Sequence, residues 1–385
     1  MELPYLKHKS FQQKNRYSIF STYNFNEIYN QIETDKSNWD FIEMQKEIIT
    51  ALESIFSDLL NQASNSRESL FLEELLFFSK KILVNDLVFF ESKKNKVKSI
   101  RSKELDELES KGHINIELDS RVVDKILNLV SSDIDHFRKN VKLGKTKRSD
   151  LQINSGYKIF KICKLLNSSL KKSLALDALS SYMNNKYEVS GCSIELSHQD
   201  ATWWKSEYYE DKPKTSYFHF DESLNNPKAI VYLSDVDSKK GCLSVCENIE
   251  NFIDVSPLQK IIGRAIPYIG KSKSSKLLNE YDHIYHQTFG SKAFRADFSK
   301  LPVELMFNSH FGWDIIKGSS LEKKILENEK LFLGKKGATK IFDGGRLLHR
   351  GGLVEEGERI AIQVVFSKKQ SFKLIRKIIR KIIRK

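Results

Sequence analysis

Hydrophobic spacing changes its period once along this chain, near Tyr187, and that change limits the folds open to it. Before it, apolar residues recur at helical intervals. Ile48, Leu52, Ile55, Phe56, Leu59 and Leu60 fall on one face; Leu70 to Val84 reads as a second helix; Ile126, Leu129, Val130, Ile134 and Phe137 mark a third. Tyr157 to Leu176 adds one or two more. After Tyr187 the chain breaks into short runs rich in β-branched and aromatic residues: YEVSGCSIEL, TSYFHF, KAIVYLSDV, CLSVCENI, TKIFDGG and RIAIQVVF. Turn residues such as Asn225-Asn226-Pro227, Gly344-Gly345 and Gly351-Gly352 bound them. This pattern predicts an α+β chain, with a mainly helical region over 1–185 and an antiparallel barrel or jelly roll over 186–367. A long insertion, about 251–337 and partly helical at Leu321 to Leu331, interrupts the β region.

The formal charge of +13 sits mostly at one end. Lys368 to Lys385 holds nine Lys and Arg and no acid, which leaves the rest of the chain nearly neutral at +4. A nucleic-acid-binding surface is therefore not expected of the body. In SFKLIRKIIRKIIRK the apolar pairs recur every four residues between basic pairs, giving one apolar and one cationic stripe on a helix. Such a helix suits an anionic membrane surface or a partner groove, or it packs its isoleucines on its own domain. No apolar run reaches 18 residues, the start MELPYLKHKSFQQKN has no apolar core of a leader, and the four cysteines are scattered. A reducing, cytoplasmic setting is expected.

The chemistry centres on Ser216-Tyr217-Phe218-His219-Phe220-Asp221. Strand residues two apart point to one face, so His219 and Asp221 project together. They form two legs of a 2-His-1-carboxylate triad. His349, in IFDGGRLLHRGG, is the best candidate for the third. Arg359 opens the last strand and has the geometry to pair with a co-substrate carboxylate. The triplet His198-Gln199-Asp200 shows how often such patterns arise by chance. Cys242-x3-Cys246 lacks the second pair of a zinc finger, and His283-x-x-His286 lacks the spacing and the glutamate of a zincin helix. Both are read as structural.

FHFDESLNNPKAIVYLSDVDSKKGCLSV together with IFDGGRLLHRGGLVEEGERIAIQVVF resembles the phytanoyl-CoA dioxygenase family of Fe(II)- and 2-oxoglutarate-dependent oxygenases. The residues that carry the likeness are His219 and Asp221; Leu233, Asp235 and Val236; Gly241; Asp343 and His349; Gly357 and Arg359. It covers about Glu188 to Ser367 without the insertion. The likeness implies a double-stranded β-helix (jelly roll) core, iron held by His219, Asp221 and His349, and 2-oxoglutarate paired with Arg359. It implies oxidation of a small or carrier-linked metabolite, with release of succinate and CO2. Halogenases of this kind lack the ligand carboxylate, so Asp221 points to hydroxylation. Strand parity adds Gln363, Tyr232 and Lys228 as cofactor or substrate contacts. Arg346 and Arg350 are candidates to meet an anionic substrate, Trp203 and Trp204 to wall it, and the insertion to cover the mouth of the barrel. The alternative is a non-catalytic jelly-roll module with a vestigial metal site.

Overall fold

The computed structural model describes residues 16–19, 24–34, 41–94, 101–144, 152–153, 156–201, 218–221, 223–224, 227–249, 254–270, 275–277, 292–306 and 320–369. The tail beyond Lys369, Trp203 and Trp204, and His283 and His286 lie outside these residues.

Capping and spacing account for the helices. Helix α5 (Ser120–Lys142) starts where the Asp119 side chain accepts from the Arg121 N–H, and it carries Lys139 and Lys142 in its last turn, as the helix dipole favours. Its Val123, Ile126, Val130, Ile134 and Phe137 form the buried stripe. Around it stand α1 (Phe25–Thr34), α2 (Phe41–Asn61), α3 (Ser66–Lys94), α4 (Lys103–Lys111), α6 (Gly156–Lys172) and α7 (Ala175–Tyr182). In the insertion, α8 (Pro257–Ala265) opens with a capping box between Ser256 and Gln259 and with proline in its first turn. Rather than standing alone, α8 packs on α1 and α3. The buried Arg264–Asp86 pair joins α8 to α3. Helices α9 (Lys292–Phe298) and α10 (Ser320–Asn328) follow.

The helical region also supplies strands, which the hydrophobic spacing did not reveal. Strand β1 (His113–Glu117) and the two-residue β2 (Gln152–Ile153) join β3 (Tyr187–His198), β4 (Lys228–Tyr232), β7 (Ala338–Phe342) and β9 (Glu358–Lys368) in a six-stranded sheet of order β1-β7-β4-β9-β3-β2. Every pairing is antiparallel. A second, three-stranded sheet runs β6-β5-β8, from β6 (Glu329–Leu331), β5 (Ser244–Cys246) and β8 (Leu348–Arg350). The expected helix over Leu321 to Leu331 thus ends at Asn328, and its last three residues become β6. Lys368, expected in the tail helix, closes β9.

The two faces of the large sheet do different work. Ile360, Ile362, Val364 and Phe366 of β9 join the main core with Ala229, Val231, Ile341 and the helices. Ala361, Tyr232 and Phe342 join a second cluster with Leu243 and Val245 of the small-sheet side. Burying four such apolar side chains contributes at most about 6–12 kcal/mol. A one-residue slip of β9 would forfeit that and drive Arg359 and Gln363 into the helix-covered core. The register therefore fixes Arg359, Ala361 and Gln363 on the inter-sheet face.

Candidate metal centre

His219 sits opposite His349 in an isolated antiparallel bridge. Each backbone N–H donates to the other's carbonyl, at 2.9 and 3.1 Å. Two residues on, the Asp221 N–H donates to Gly344 O at 2.7 Å. This short ladder stitches the His-x-Asp segment to the turn before β8. The two imidazole rings lie 4.3 Å apart between centroids. One ligand atom from each of His219, Asp221 and His349 lies within 4.8 Å of the others, and this is the one such cluster found among the described residues. Ligands at right angles about 2.1 Å from a metal stand about 3 Å apart; the three atoms are grouped somewhat more loosely than that, with His349 Nε2 and Asp221 Oδ1 at 3.8 Å.

The hydrogen bonds orient these side chains. His349 Nδ1 lies 2.9 Å from Leu347 O, which places the proton there and leaves Nε2 as the free lone pair. Nε2 faces Asp221 Oδ1 at 3.8 Å. Burial, reinforced by His219, pushes the His349 pKa down to about 3, so the ring is neutral and able to ligate. Burial raises the Asp221 pKa, but its surroundings, with the Lys228 ammonium in hydrogen-bond contact, outweigh it and hold the carboxyl below its usual value. Asp221 Oδ1 accepts from Lys228 Nζ at 2.6 Å. Oδ2 is buried with no partner. An orphaned carboxylate oxygen beside two imidazoles fits a cation.

Gly344 makes this closeness possible. A Cβ there would lie 2.8 Å from Asp221 Cγ and 3.1 Å from His349 Cε1. Only a residue without a side chain lets the turn pass so near the carboxylate.

The other expected residues divide. Lys228 touches Asp221 directly. Arg359, Tyr232 and Gln363 share the inter-sheet face without a hydrogen bond to the triad. Arg359 donates to Gly241 O and, at 3.1 Å, to Ser197 Oγ. Its Nε is buried and unpartnered. The Tyr232 hydroxyl is used up, since it donates to Phe332 O and accepts from the Leu243 N–H, both at 2.9 Å. Gln363 stands between Ser193 and Ile230 on the neighbouring strands.

Arg346 and Arg350 both have acidic partners within the fold, and Arg346 also lines a cavity of about 540 Å³ with Phe220 and Gly345. Arg350, 1% exposed, grips Glu329 with two hydrogen bonds and lies over the Phe218 ring. Arg346 pairs with Asp343 at 2.9 Å and with Glu33 at 3.6 Å. His198 bonds within its own turn, accepting from the Asp200 N–H at 3.1 Å. Cys242 and Cys246 are buried strand-side thiols. A buried relay that sequence reading missed links Lys340 to His113 at 3.2 Å and His113 to Glu247 at 2.8 Å. Its members lie 93 to 227 positions apart, so no local motif could have announced it.

No family model matches this chain, and no curated protein does. Solved structures that overlap it include the non-heme α-ketoglutarate-dependent carbocyclase SnoK from nogalamycin biosynthesis, with 10% identity, 70% of this chain and 84% of that one covered, and a TM-score of 0.37. EctD from S. alaskensis gives 10% identity, 70% and 77% coverage and 0.35. HygX from Streptomyces hygroscopicus, with nickel and 2-oxoglutarate bound, gives 11%, 70%, 88% and 0.36. Overlaps this partial leave the chemistry to be read from the residues themselves.

Proposed function

We propose that the chain is an Fe(II)- and 2-oxoglutarate-dependent dioxygenase of the phytanoyl-CoA dioxygenase kind, built on a double-stranded β-helix. It hydroxylates a small or carrier-linked metabolite. The observation that carries this reading is the convergence of His219, Asp221 and His349, each offering one ligand atom to a common space. Two imidazoles and one carboxylate on one face, with other positions left open, are the donor set of non-heme iron oxygenases. Iron and 2-oxoglutarate, when bound, supply the activation of oxygen and the oxidation of substrate.

The chain's own residues do the rest. His349, held neutral by burial and oriented by Leu347 O, offers Nε2. His219 offers a second imidazole from across the bridge. Asp221 stays ionised and supplies the negative charge. Arg359 turns a buried, unpartnered Nε and a permanent charge to the far carboxylate of 2-oxoglutarate. Hydrophobic packing by Tyr232, Phe332, Leu243 and Val245 keeps water from the space beside it.

One observation favours the second reading, a non-catalytic jelly-roll module. The Lys228 ammonium already sits on Asp221 Oδ1, so the carboxylate has a cation within the chain. Anaerobic calorimetry with Fe(II), then with 2-oxoglutarate, separates the two, together with succinate release. The oxygenase binds both and forms succinate. His219→Ala and Asp221→Ala lose metal binding, and Arg359→Ala keeps the metal but binds 2-oxoglutarate at least thirtyfold more weakly. Wild-type metal affinity in both ligand variants would overturn the assignment.

A further inference from the structure

Helix α6 has an outer surface that the proposed chemistry does not use. Its sequence, GYKIFKICKLLNSSLKK, contains five lysines and no acid. The inward side is accounted for by Ile162, Cys163, Leu166 and Leu170, which are buried. The outward side is not: Tyr157 is 67% exposed and Phe160 69%. Lys161 lies over the Tyr157 ring at 4.4 Å, so charge and aromatic surface are presented together.

Beside these residues, α6, α7 and the start of β3 enclose a groove of about 1330 Å³. Phe160, Leu176 and Val189 give it apolar walls, and Lys164, Lys171, Lys186 and Lys369 stand around it. Asp177 and Glu188 also line it, and Glu188 lies 4.0 Å from Lys369, so cations still predominate. The described chain ends at this groove, at Lys369. The sequence then continues for sixteen residues that include seven Lys and Arg and no acid.

We infer that this face docks the protein on an anionic phospholipid bilayer, with the groove lysines and the tail acting on the same membrane. Charge selects the occupant. A lysine-rimmed groove offers little charge complement to the seven Lys and Arg of the sequence beyond Lys369. A soluble polyanion would satisfy the lysines but leave Tyr157 and Phe160 in water. A bilayer interface takes both, because its headgroups are negative and aromatic rings settle at headgroup depth.

The test is co-sedimentation of the full chain with vesicles of phosphatidylcholine and phosphatidylglycerol, beside vesicles of phosphatidylcholine alone. The full chain is expected to bind only the anionic vesicles, and less so as salt rises. Each surface lysine near such a membrane is worth roughly fivefold in affinity. The Lys164→Gln/Lys171→Gln/Lys186→Gln variant, with its tail intact, is therefore expected to bind about a hundredfold more weakly. Phe160→Ser is expected to weaken binding at unchanged charge. All these side chains lie at the surface, and an unchanged melting temperature verifies the fold. Vesicle binding equal to wild type in the triple variant would overturn the inference, since the tail alone would then suffice. So would a triple variant that loses heparin binding but keeps vesicle binding, which would make the face a site for soluble polyanions.

Discussion

Replacing Gly344 with alanine tests whether close packing holds the triad. The new Cβ would lie 2.8 Å from Asp221 Cγ and 3.1 Å from His349 Cε1. Carbon atoms in unstrained contact stand about 3.5–4.0 Å apart, so the carboxylate or the turn must retreat by roughly 1 Å. Backbone strain does not enter, because Gly344 is not among the glycines with positive φ. Overpacking costs about 1–3 kcal/mol. Reduced freedom of the unfolded chain offsets about 0.4–1 kcal/mol of that. Stability should therefore fall modestly, while metal affinity falls about 10- to 100-fold, as it does when a ligand loses the contacts that orient it. Anaerobic calorimetry with Fe(II), or with redox-silent Ni(II), reads the second effect, and a thermal melt reads the first. Gly357 is the control: its φ is +72° and a Cβ there meets nothing within 4 Å. Gly357→Ala should strain the backbone by about 1 kcal/mol and leave metal affinity alone. If Gly344→Ala bound metal like wild type, the close-packing account of the site would be wrong.

Three further outcomes follow from the same geometry. Lys228→Met strips the buried Asp221 of its ammonium partner, so the metal-free protein should melt lower and gain more from added metal than wild type does; an equal metal-induced rise in both proteins would refute this. The unfolded chain takes up the His349 proton near pH 6.5, whereas in the folded state it binds only near pH 3, so this residue's contribution is whole above about 6.5 and is lost as pH falls toward 3. Urea unfolding of the metal-free protein at pH 7 and pH 5 should show that loss, and His349→Asn should shrink it; an unchanged difference would refute the assignment. Tyr232→Phe leaves the buried Leu243 N–H and Phe332 carbonyl unsatisfied, costing about 1–3 kcal/mol in stability with metal and 2-oxoglutarate affinities intact; weaker 2-oxoglutarate binding at full stability would show that the hydroxyl serves the co-substrate instead.

The pairing of His219 with Asp221 in the candidate site was readable because its signal is local, whereas His349 stands 128 positions further on. Period-two geometry puts His219 and Asp221 on one side, and β9 shows the same rule in its alternation of Arg359, Ala361 and Gln363 with Ile360, Ile362 and Val364. The long helices were readable because their apolar stripes repeat over several turns. Strand β1 was not, since five residues between two helices carry too little periodicity to stand out. The pairing of Arg350 with Glu329 depends on a tertiary contact between strands of the small sheet, so no local pattern shows that this guanidinium is already engaged. Tyr232 has the parity of a site residue, and only the structure shows its hydroxyl committed to two backbone groups.

The mixed parentage of the large sheet bears on how this protein can be handled or rearranged. Its outermost strands, β1 and β2, come from the stretch that otherwise builds helices. A fragment beginning at Tyr187 would keep every proposed iron ligand yet leave β7 and β3 as raw margins, open to pairing with other chains. The β half is thus not a transplantable cassette, and a shortened gene should yield aggregates rather than a minimal enzyme.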